Sequence, residues 1–298
     1  MKIPAHMQEV YVEKPSITVL MTSFNRREHT VSCLERLLEQ ARGDNAKLFD
    51  LSVVLVDDGS TDGTAKAVQW MFPEVFLLEG NGSLYWNRGM HRAFEYALER
   101  RSDYYLWLND DTLLLPGSLH RLWAAMQQLV QAEVAAIVTG STCDEDSGKL
   151  SYGGVRWSGD WLRKPVSIEP GAELIPCDTM NGNCTLIPHA VAQVVGNLDP
   201  AFQHSFGDFD YGFRARAAGF PIFVTPGLFG SCSDNSHEGT WRDPKAGFLK
   251  RWRHLNSPKG SPFAEWSLYC RRHLGPLWPL YAVSPYVKTL AGAIRWSA

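Results

Sequence analysis

The sequence predicts an α/β protein, a mostly parallel central sheet flanked by helices, followed by a basic helical extension at the C-terminus. Three observations predict it. Short apolar, β-branched runs alternate with helical spacing over the first hundred residues; acidic turns follow two of those runs directly; and the charge changes sign near residue 244.

Ile17 to Thr22 is a short run that fits a buried strand, and Val31, Leu34, Leu37, Leu38 and Ala41 then recur at helical spacing. Leu51 to Val56 is the second strand. Ser60 or Asp62 caps the next helix, whose apolar face is Ala65 and Val68, extended by Met71 or Phe72. A short strand at Val75–Leu78, a helix over 88–100 and a fourth strand at Tyr104–Leu108 complete a Rossmann-like half. The second half is less regular. A helix is expected over 116–130, a strand over 134–138, hairpins or loops over 151–161, and a helix from Phe206 ending at Gly219 with Pro221 beyond it. Pro244 to Pro262 is a hinge region around a short basic helix.

The chain has 298 residues, enough for one large or two modest domains, and 45% apolar with 20% charged residues describes an ordinary globular protein. The boundary is expected at 244: residues 1–244 hold 20 Lys/Arg against 31 Asp/Glu, whereas residues 245–298 hold 9 against Glu265 alone. That basic, Trp-rich segment suits either an anionic membrane surface or packing against the acidic body or a second subunit. The acidic body and the lack of a binding motif argue against nucleic acid. Six scattered cysteines without a Cys-x-x-Cys pair read as reduced thiols of a cytoplasmic protein. Met1–Pro15 lacks the apolar core of a signal peptide, and the longest apolar stretch, Leu274–Val283, is short and interrupted by prolines. The protein is therefore expected in the cytoplasm or peripherally at the inner face of the cell membrane.

Asp57-Asp58-Gly59-Ser60 follows the second strand, and Asn109-Asp110-Asp111-Thr112 follows the fourth. In open α/β sheets, ligands sit at the carboxyl ends of strands. Paired carboxylates repel a bare phosphate, and both the P-loop and the dinucleotide glycine pattern are missing. Carboxylates accept hydrogen bonds from a base imide or ribose hydroxyls, and they bind hard cations that share their shell with substrate phosphates. The structural alternative at each position is a turn with solvated acids or a helix cap.

These runs, with Thr22-Ser23-Phe24-Asn25-Arg26 and Asn81-Gly82-Ser83-Leu84-Tyr85-Trp86-Asn87-Arg88-Gly89, resemble family 2 glycosyltransferases, in particular rhamnosyltransferase-like members. The resemblance covers about residues 16–240. It implies the GT-A fold, inversion at the anomeric carbon, and a divalent Mn²⁺ or Mg²⁺. It places Thr22, Ser23, Asn25, Arg26, Asp57, Asp58, Trp86, Asn87, Asn109 and Asp110 at the donor nucleotide, and Asp111 with His237 at the metal. The family's Asp-x-Asp motif appears as Asn109-Asp110-Asp111. Gly207-Asp208-Phe209-Asp210 resembles the Glu-Asp-x-Asp segment, with Gly207 in place of the first acid, and this makes Asp208 the catalytic base. Asp210 is instead expected to pair with Arg214 one turn on. Asn181, Gly182, Asn183 and Trp241 fall on the acceptor side.

The expected reaction is transfer of a sugar from a UDP- or dTDP-sugar to a hydroxyl of a glycan or lipid-linked glycan, in bacterial surface polysaccharide synthesis. Two rivals remain at this stage. A sugar-nucleotide pyrophosphorylase needs a Gly-rich basic loop after the first strand, and residues 22–27 hold no glycine. A catalytically silent nucleotide-sugar-binding module is kept open by Asn109 and Gly207. The sequence leaves a homo-oligomer open.

Overall fold

The computed structural model describes residues 14–43, 45–159, 164–233 and 238–296, with side chains as far as 292. β1 (Ser16–Ser23), α1 (Arg27–Ala41), β2 (Asp50–Asp57), α2 (Thr64–Met71), β3 (Phe76–Glu79), α3 (Tyr85–Arg100) and β4 (Tyr104–Leu108) follow in the order the periodicity predicts. Two details differ. α3 begins three residues earlier, and α2 turns Thr64, Ala67 and Val68 inward with Phe72 behind them, leaving Met71 exposed.

The second half contains β5 (Leu113–Leu114), α4 (Ser118–Gln131), β6 (Ile137–Cys143), β7 (Leu150–Tyr152), β8 (Gly154–Ser158) and β9 (Lys164–Ser167). Next come β10 (Ile175–Cys177), β11 (Thr179–Met180), β12 (Cys184–Pro188), α5 (His189–Val195), α6 (Gly207–Ala217) and β13 (Ile222–Ser231). The extension holds α7 (Phe248–Leu255), α8 (Phe263–His273) and α9 (Trp278–Trp296). The strand expected over 134–138 starts later and runs on through the buried polar residues Thr139, Ser141 and Thr142.

The main sheet has the order β10-β13-β6-β12-β4-β1-β2-β3. β1 is parallel to both β2 and β4, and β2 is parallel to β3. Successive strand residues point to opposite faces. Ile17, Val19 and Met21 of β1, Val53 and Leu55 of β2, and Leu106 and Leu108 of β4 therefore meet α1 and α4 on one side. Leu20, Val54, Val56, Tyr105 and Trp107 meet α3 and α6 on the other. Each fully buried side chain of this size contributes roughly 1.5–3 kcal/mol, so the register is fixed by two cores at once.

This topology builds one functional edge. Parallel pairing sets Ser23 opposite Asp57 and brings the end of β4 to the same edge. β12 runs antiparallel to β4 from Cys184 opposite Leu108, so the loop before it arrives there too. β6 is antiparallel to β12, and β13 is parallel to β6, which delivers Ser231 and Cys232 to that edge.

The extension packs on the body through α8. Asp210 of α6 is fully buried and accepts from Arg214 Nε at 2.8 Å, Arg272 at 3.0 Å and His273 Nε2 at 2.9 Å. The Arg214 pairing is the one expected. Arg272 also binds Asp199 at 2.8 Å, and Glu265 accepts from the Gln203 backbone at 3.1 Å. Phe206 packs on Trp266 and Tyr269 with centroids 5.1 and 5.3 Å apart. No helix among the described residues is long and apolar enough to cross a membrane, and all six cysteines are free of disulfides.

Candidate active site

The end of β1 turns sharply at Asn25, which has a positive φ of 52°. Asn25 Oδ1 accepts from the Thr61 backbone at 2.7 Å, and Ser60 Oγ accepts from the Asn25 backbone at 2.8 Å. The first two strand-end loops are thereby locked to each other. Phe24, next to this turn, is 49% exposed.

The two carboxylates after β2 differ in role. Asp58 is buried, and its oxygens accept backbone N–H groups of Gly82, Leu84 and Tyr85 at 2.8–3.0 Å. It therefore shapes the loop into α3 and has no oxygen directed at a base. Asp57 Oδ2 takes the Ser60 N–H at 3.1 Å, while its buried Oδ1 has no partner. Of the pair, Asp57 is the one with an acceptor left for a ligand N–H.

Several residues expected at the nucleotide have buried side chains with partners inside the protein. Thr22 and Ser23 are buried; Ser23 Oγ bonds Thr30 Oγ1 at 2.8 Å, and Thr22 packs so closely on Gly89 that a Cβ there would lie 2.2 Å from its hydroxyl. Asn87 is fully buried, with Nδ2 donating to the carbonyls of Asp199 and Phe202 at 2.8 and 2.7 Å. These contacts make Asn87 a brace for the loop before α6. A Cβ at Gly207 would lie 1.7 Å from Asn87 Oδ1, so this packing explains the glycine where the related motif has an acid.

At the end of β4, Asn109 Oδ1 accepts from Trp86 Nε1 at 2.7 Å. The Trp86 ring in turn covers Gly182, where a Cβ would meet it at 2.5 Å. Arg26 bridges the next two carboxylates, reaching Asp110 at 3.1 Å and Asp111 at 2.5 Å. Asp110 is buried, and burial pushes its carboxyl up against the pull of Arg26. Burial opposes the Arg26 charge, but Asp110 and Asp111 outweigh it and hold the guanidinium more firmly protonated than usual. Cys232 Sγ lies 3.3 Å from Asp111 Oδ1. Its thiol is pushed up to about 12, by burial first and by Asp111 second, so it meets Asp111 as an S–H donor. Asn183 donates to Cys232 Sγ at 3.3 Å. Asn183 is thus linked through Cys232 to Asp111.

A divalent cation fits this donor set. Among the described residues, no group of three His, Cys, Asp or Glu could hold a metal alone. A metal serving a diphosphate needs only one or two carboxylates, with phosphates and water completing its shell. Asp110 and Asp111 already share one cationic partner in Arg26, so the edge has the charge that such an ion requires. His237 lies outside the described residues.

Asp208 is the second residue of α6, which follows Phe206 at a positive φ of 74°. Its oxygens accept the Phe209 and Gly182 backbone N–H groups at 2.8 and 3.2 Å, with a further hydrogen bond from Asn181. Burial nevertheless dominates and raises its carboxyl to about 6. A base of that pKa stays ionised at neutral pH and still takes a proton readily. Gly182 joins the two halves, lying under Trp86 and against Asp208. Trp241 is further along the chain, its carbonyl accepting from Arg251 Nε of α7 at 3.0 Å.

Phe24, His204, Cys232 and Tyr269 are the residues the sequence reading left without roles. His204 has an unpartnered Nδ1 and is lowered to about 4, by burial and then by Lys259 and Arg26, so it is neutral at pH 7. Tyr269, from α8, carries a buried unpartnered hydroxyl in the field of Asp208 and Asp210.

Comparison with known proteins agrees with this geometry. The family model described as Glycosyl transferase family 2 matches residues 18–192. N-acetylglucosaminyl-diphospho-decaprenol L-rhamnosyltransferase of Mycobacterium tuberculosis, from two strains, is 25% identical over 217 residues, 65% of this chain and 69% of the relative. In fold, the chain is similar to the mannosyltransferase PcManGT from Pyrobaculum calidifontis in complex with GDP-Man and Mn²⁺. The TM-score is 0.53 at 17% identity, covering 95% of this chain and 74% of that one. S. aureus TarS gives a TM-score of 0.54 at 14% identity, covering 88% of this chain and 44% of TarS. TarS 1-349 in complex with UDP gives 0.53 at 12% identity, covering 89% and 72%. With the family model spanning more than half of the sequence, and the GT-A sheet carrying its acidic edge, the chain belongs to glycosyl transferase family 2 and is a glycosyltransferase.

Proposed function

We propose that the protein is an inverting, metal-dependent transferase that moves a sugar from a UDP- or dTDP-sugar to a hydroxyl of a glycan or lipid-linked glycan in bacterial surface polysaccharide synthesis. The observation that carries the reading is Asp208. Its carboxyl is raised to about 6, is held by the Gly182 N–H, and belongs to the same site as the Asp111 edge through Gly182, Trp86 and Asn109. The M. tuberculosis relative is named for a lipid-linked glycan acceptor and for rhamnosyl transfer, and this supports the acceptor class and a deoxysugar donor.

In this reading Asp57 Oδ1 accepts the base N–H, while Phe24 offers an exposed ring for the base to stack on. Asp111, with Asp110 behind it and His237, which follows β13 in the sequence, would hold Mn²⁺ or Mg²⁺. When bound, that ion supplies Lewis-acid stabilisation of the leaving diphosphate. Arg26 moves from the carboxylates to the diphosphate oxygens, a planar fork suited to phosphate. Asp208 accepts the acceptor hydroxyl's proton as that oxygen bonds to the anomeric carbon and the bond to the diphosphate breaks. A single in-line displacement inverts the configuration and needs no enzyme nucleophile.

Asp208→Asn is expected to lower turnover by about 10²–10⁴, the usual contribution of a positioned base, while nucleotide binding by calorimetry is unchanged. Near wild-type turnover in this variant would remove Asp208 from the base role.

A further inference from the structure

α9 is apolar on two opposite faces. Ala282, Pro285 and Thr289 are buried against the rest of the extension. Leu280, Val283, Val287 and Leu290, spaced three, four and three residues apart, form one outward stripe and are 63%, 44%, 57% and 47% exposed. The stripe does not stand alone. Tyr286, one turn from Val283 and Leu290, packs edge-on against Trp252 and Phe263, both exposed, with centroids 5.7 Å away in each case. Leu249, one turn before Trp252 on α7, is 67% exposed. Seven of the fifteen exposed large apolar side chains among the described residues therefore gather on the outer side of the extension.

The charged side chains of α7 and α9 have one sign, and Lys250, Arg253 and Lys288 on these two helices are exposed. The single acid of residues 245–298, Glu265, is turned inward onto the Gln203 backbone. A water-exposed apolar patch of this extent marks an interaction surface, and a basic rim selects an anionic partner. No helix among the described residues is suited to spanning a bilayer. A helix with an apolar outer face and flanking Lys, Arg and Trp lies in the plane of a lipid interface.

We propose that the outer face of α7 and α9 docks flat on an anionic phospholipid surface, with Leu280, Val283, Val287, Leu290, Leu249 and Trp252 entering the acyl boundary and the lysines meeting the headgroups. α8 ties this surface to α6 through Arg272, His273 and Asp210, so a docked extension holds the helix that carries Asp208 at a fixed attitude to the bilayer. The benefit to a lipid-linked acceptor rests on the function proposed above, whereas docking itself needs neither nucleotide nor acceptor.

The test is co-flotation of the full chain, without nucleotide or acceptor, on vesicles of phosphatidylcholine alone or mixed with phosphatidylglycerol. The wild type is expected to float with the anionic vesicles and to be released by high salt. Replacing two half-exposed side chains, Leu280→Gln with Val287→Gln, should cut partitioning by about tenfold or more, since each loses apolar contact with the acyl region. Lys250→Gln with Lys288→Gln should reduce binding to the anionic vesicles and leave the small binding to neutral ones unchanged. All four positions are exposed, so an unaltered thermal melt is expected alongside. The proposal is overturned if the wild type does not float, or if the apolar variant floats equally well. It is also overturned if sedimentation shows a dimer that this variant dissociates while no vesicle binding occurs, since a second copy would then be the occupant.

Discussion

A carboxyl lifted to about 6 by burial, as in Asp208, fixes the sign of the pH response of both rate and stability. The base form is the ionised one, so turnover should rise with pH through about 6 with unit slope and then level off. The folded-state pKa lies above the unfolded value of 3.8. The associated stability is thus fully present below about pH 4 and is lost as pH rises through about 6. Asp208→Asn should accordingly be no less stable than the wild type at pH 8 while turning over about 10²–10⁴ more slowly, a separation readable from melts and turnover together. An acidic limb that keeps its midpoint in a residually active Asp208 variant would assign the titration to another group. Arg26 gives the second prediction at this scale. It already occupies the cation position between Asp110 and Asp111, so Arg26→Ala should bind Mn²⁺ several-fold more tightly in the absence of nucleotide, followed by the electron paramagnetic resonance of free Mn²⁺. Unchanged or weaker Mn²⁺ binding would show that the arginine does not compete for that place. The residue types at the edge were legible in the sequence, but their division of labour was not. Asp58, Asn87 and Asn183 look as available as Asp57 and Asp111 along the chain. Their side chains are engaged by partners 24 to 115 residues away, and no local pattern reports that.

At the scale of elements, α6 and α8 are coupled through one buried carboxylate. Burial alone would raise Asp210, but hydrogen bonds from His273, Arg214 and Arg272 overcome it and lower the group to about 2. Its contribution to stability is therefore present above about pH 4 and falls away as pH drops toward 2. Removing one member of such a buried network costs about 3–5 kcal/mol. Asp210→Ala should lower stability by this order in denaturant unfolding and speed amide exchange in α8 before it does so in β1 or β2. Uniform exchange across both regions would mean that the extension is not a separable layer. β1, β2 and β4 were readable because their apolar runs are buried on both faces. β6 was misplaced for the opposite reason. Its interior uses small polar residues, two of whose hydroxyls are paired within the sheet, Thr139 with Thr185 at 3.0 Å and Thr142 with Ser151 at 2.9 Å. Hydrophobic periodicity does not detect a strand that is satisfied in this way.

At the scale of the whole molecule, function follows from where the topology ends its strands. β1, β2 and β4 deliver Asn25, Asp57 and Asp111, the antiparallel β12 is preceded by Gly182, and β13 ends beside Cys232, all at one edge. The sequence announced Asp57 and Asp111 through acidic turns after apolar strands, and Asn25 through the family resemblance of the Thr22–Arg26 run. The arrival of the other two depends on antiparallel insertion of β12 between β4 and β6, which is a property of the sheet and not of any segment. The extension was equally visible as a reversal of charge, yet its two faces were not. α8 packs inward by ion pairing, while α7 and α9 leave apolar side chains outward. The proposed transfer requires a nucleoside diphosphate held at that edge with a divalent ion. The most direct test is thermal stability of the wild type and Asp111→Asn with UDP, dTDP, GDP and ADP, each with and without Mn²⁺ or Mg²⁺. A ligand at 100 times its Kd stabilises by roughly 2.7 kcal/mol. The account predicts a metal-dependent shift of that order with UDP or dTDP that Asp111→Asn abolishes. A nucleotide shift that is indifferent to metal and survives Asp111→Asn would contradict it, and so would no shift with any of the four.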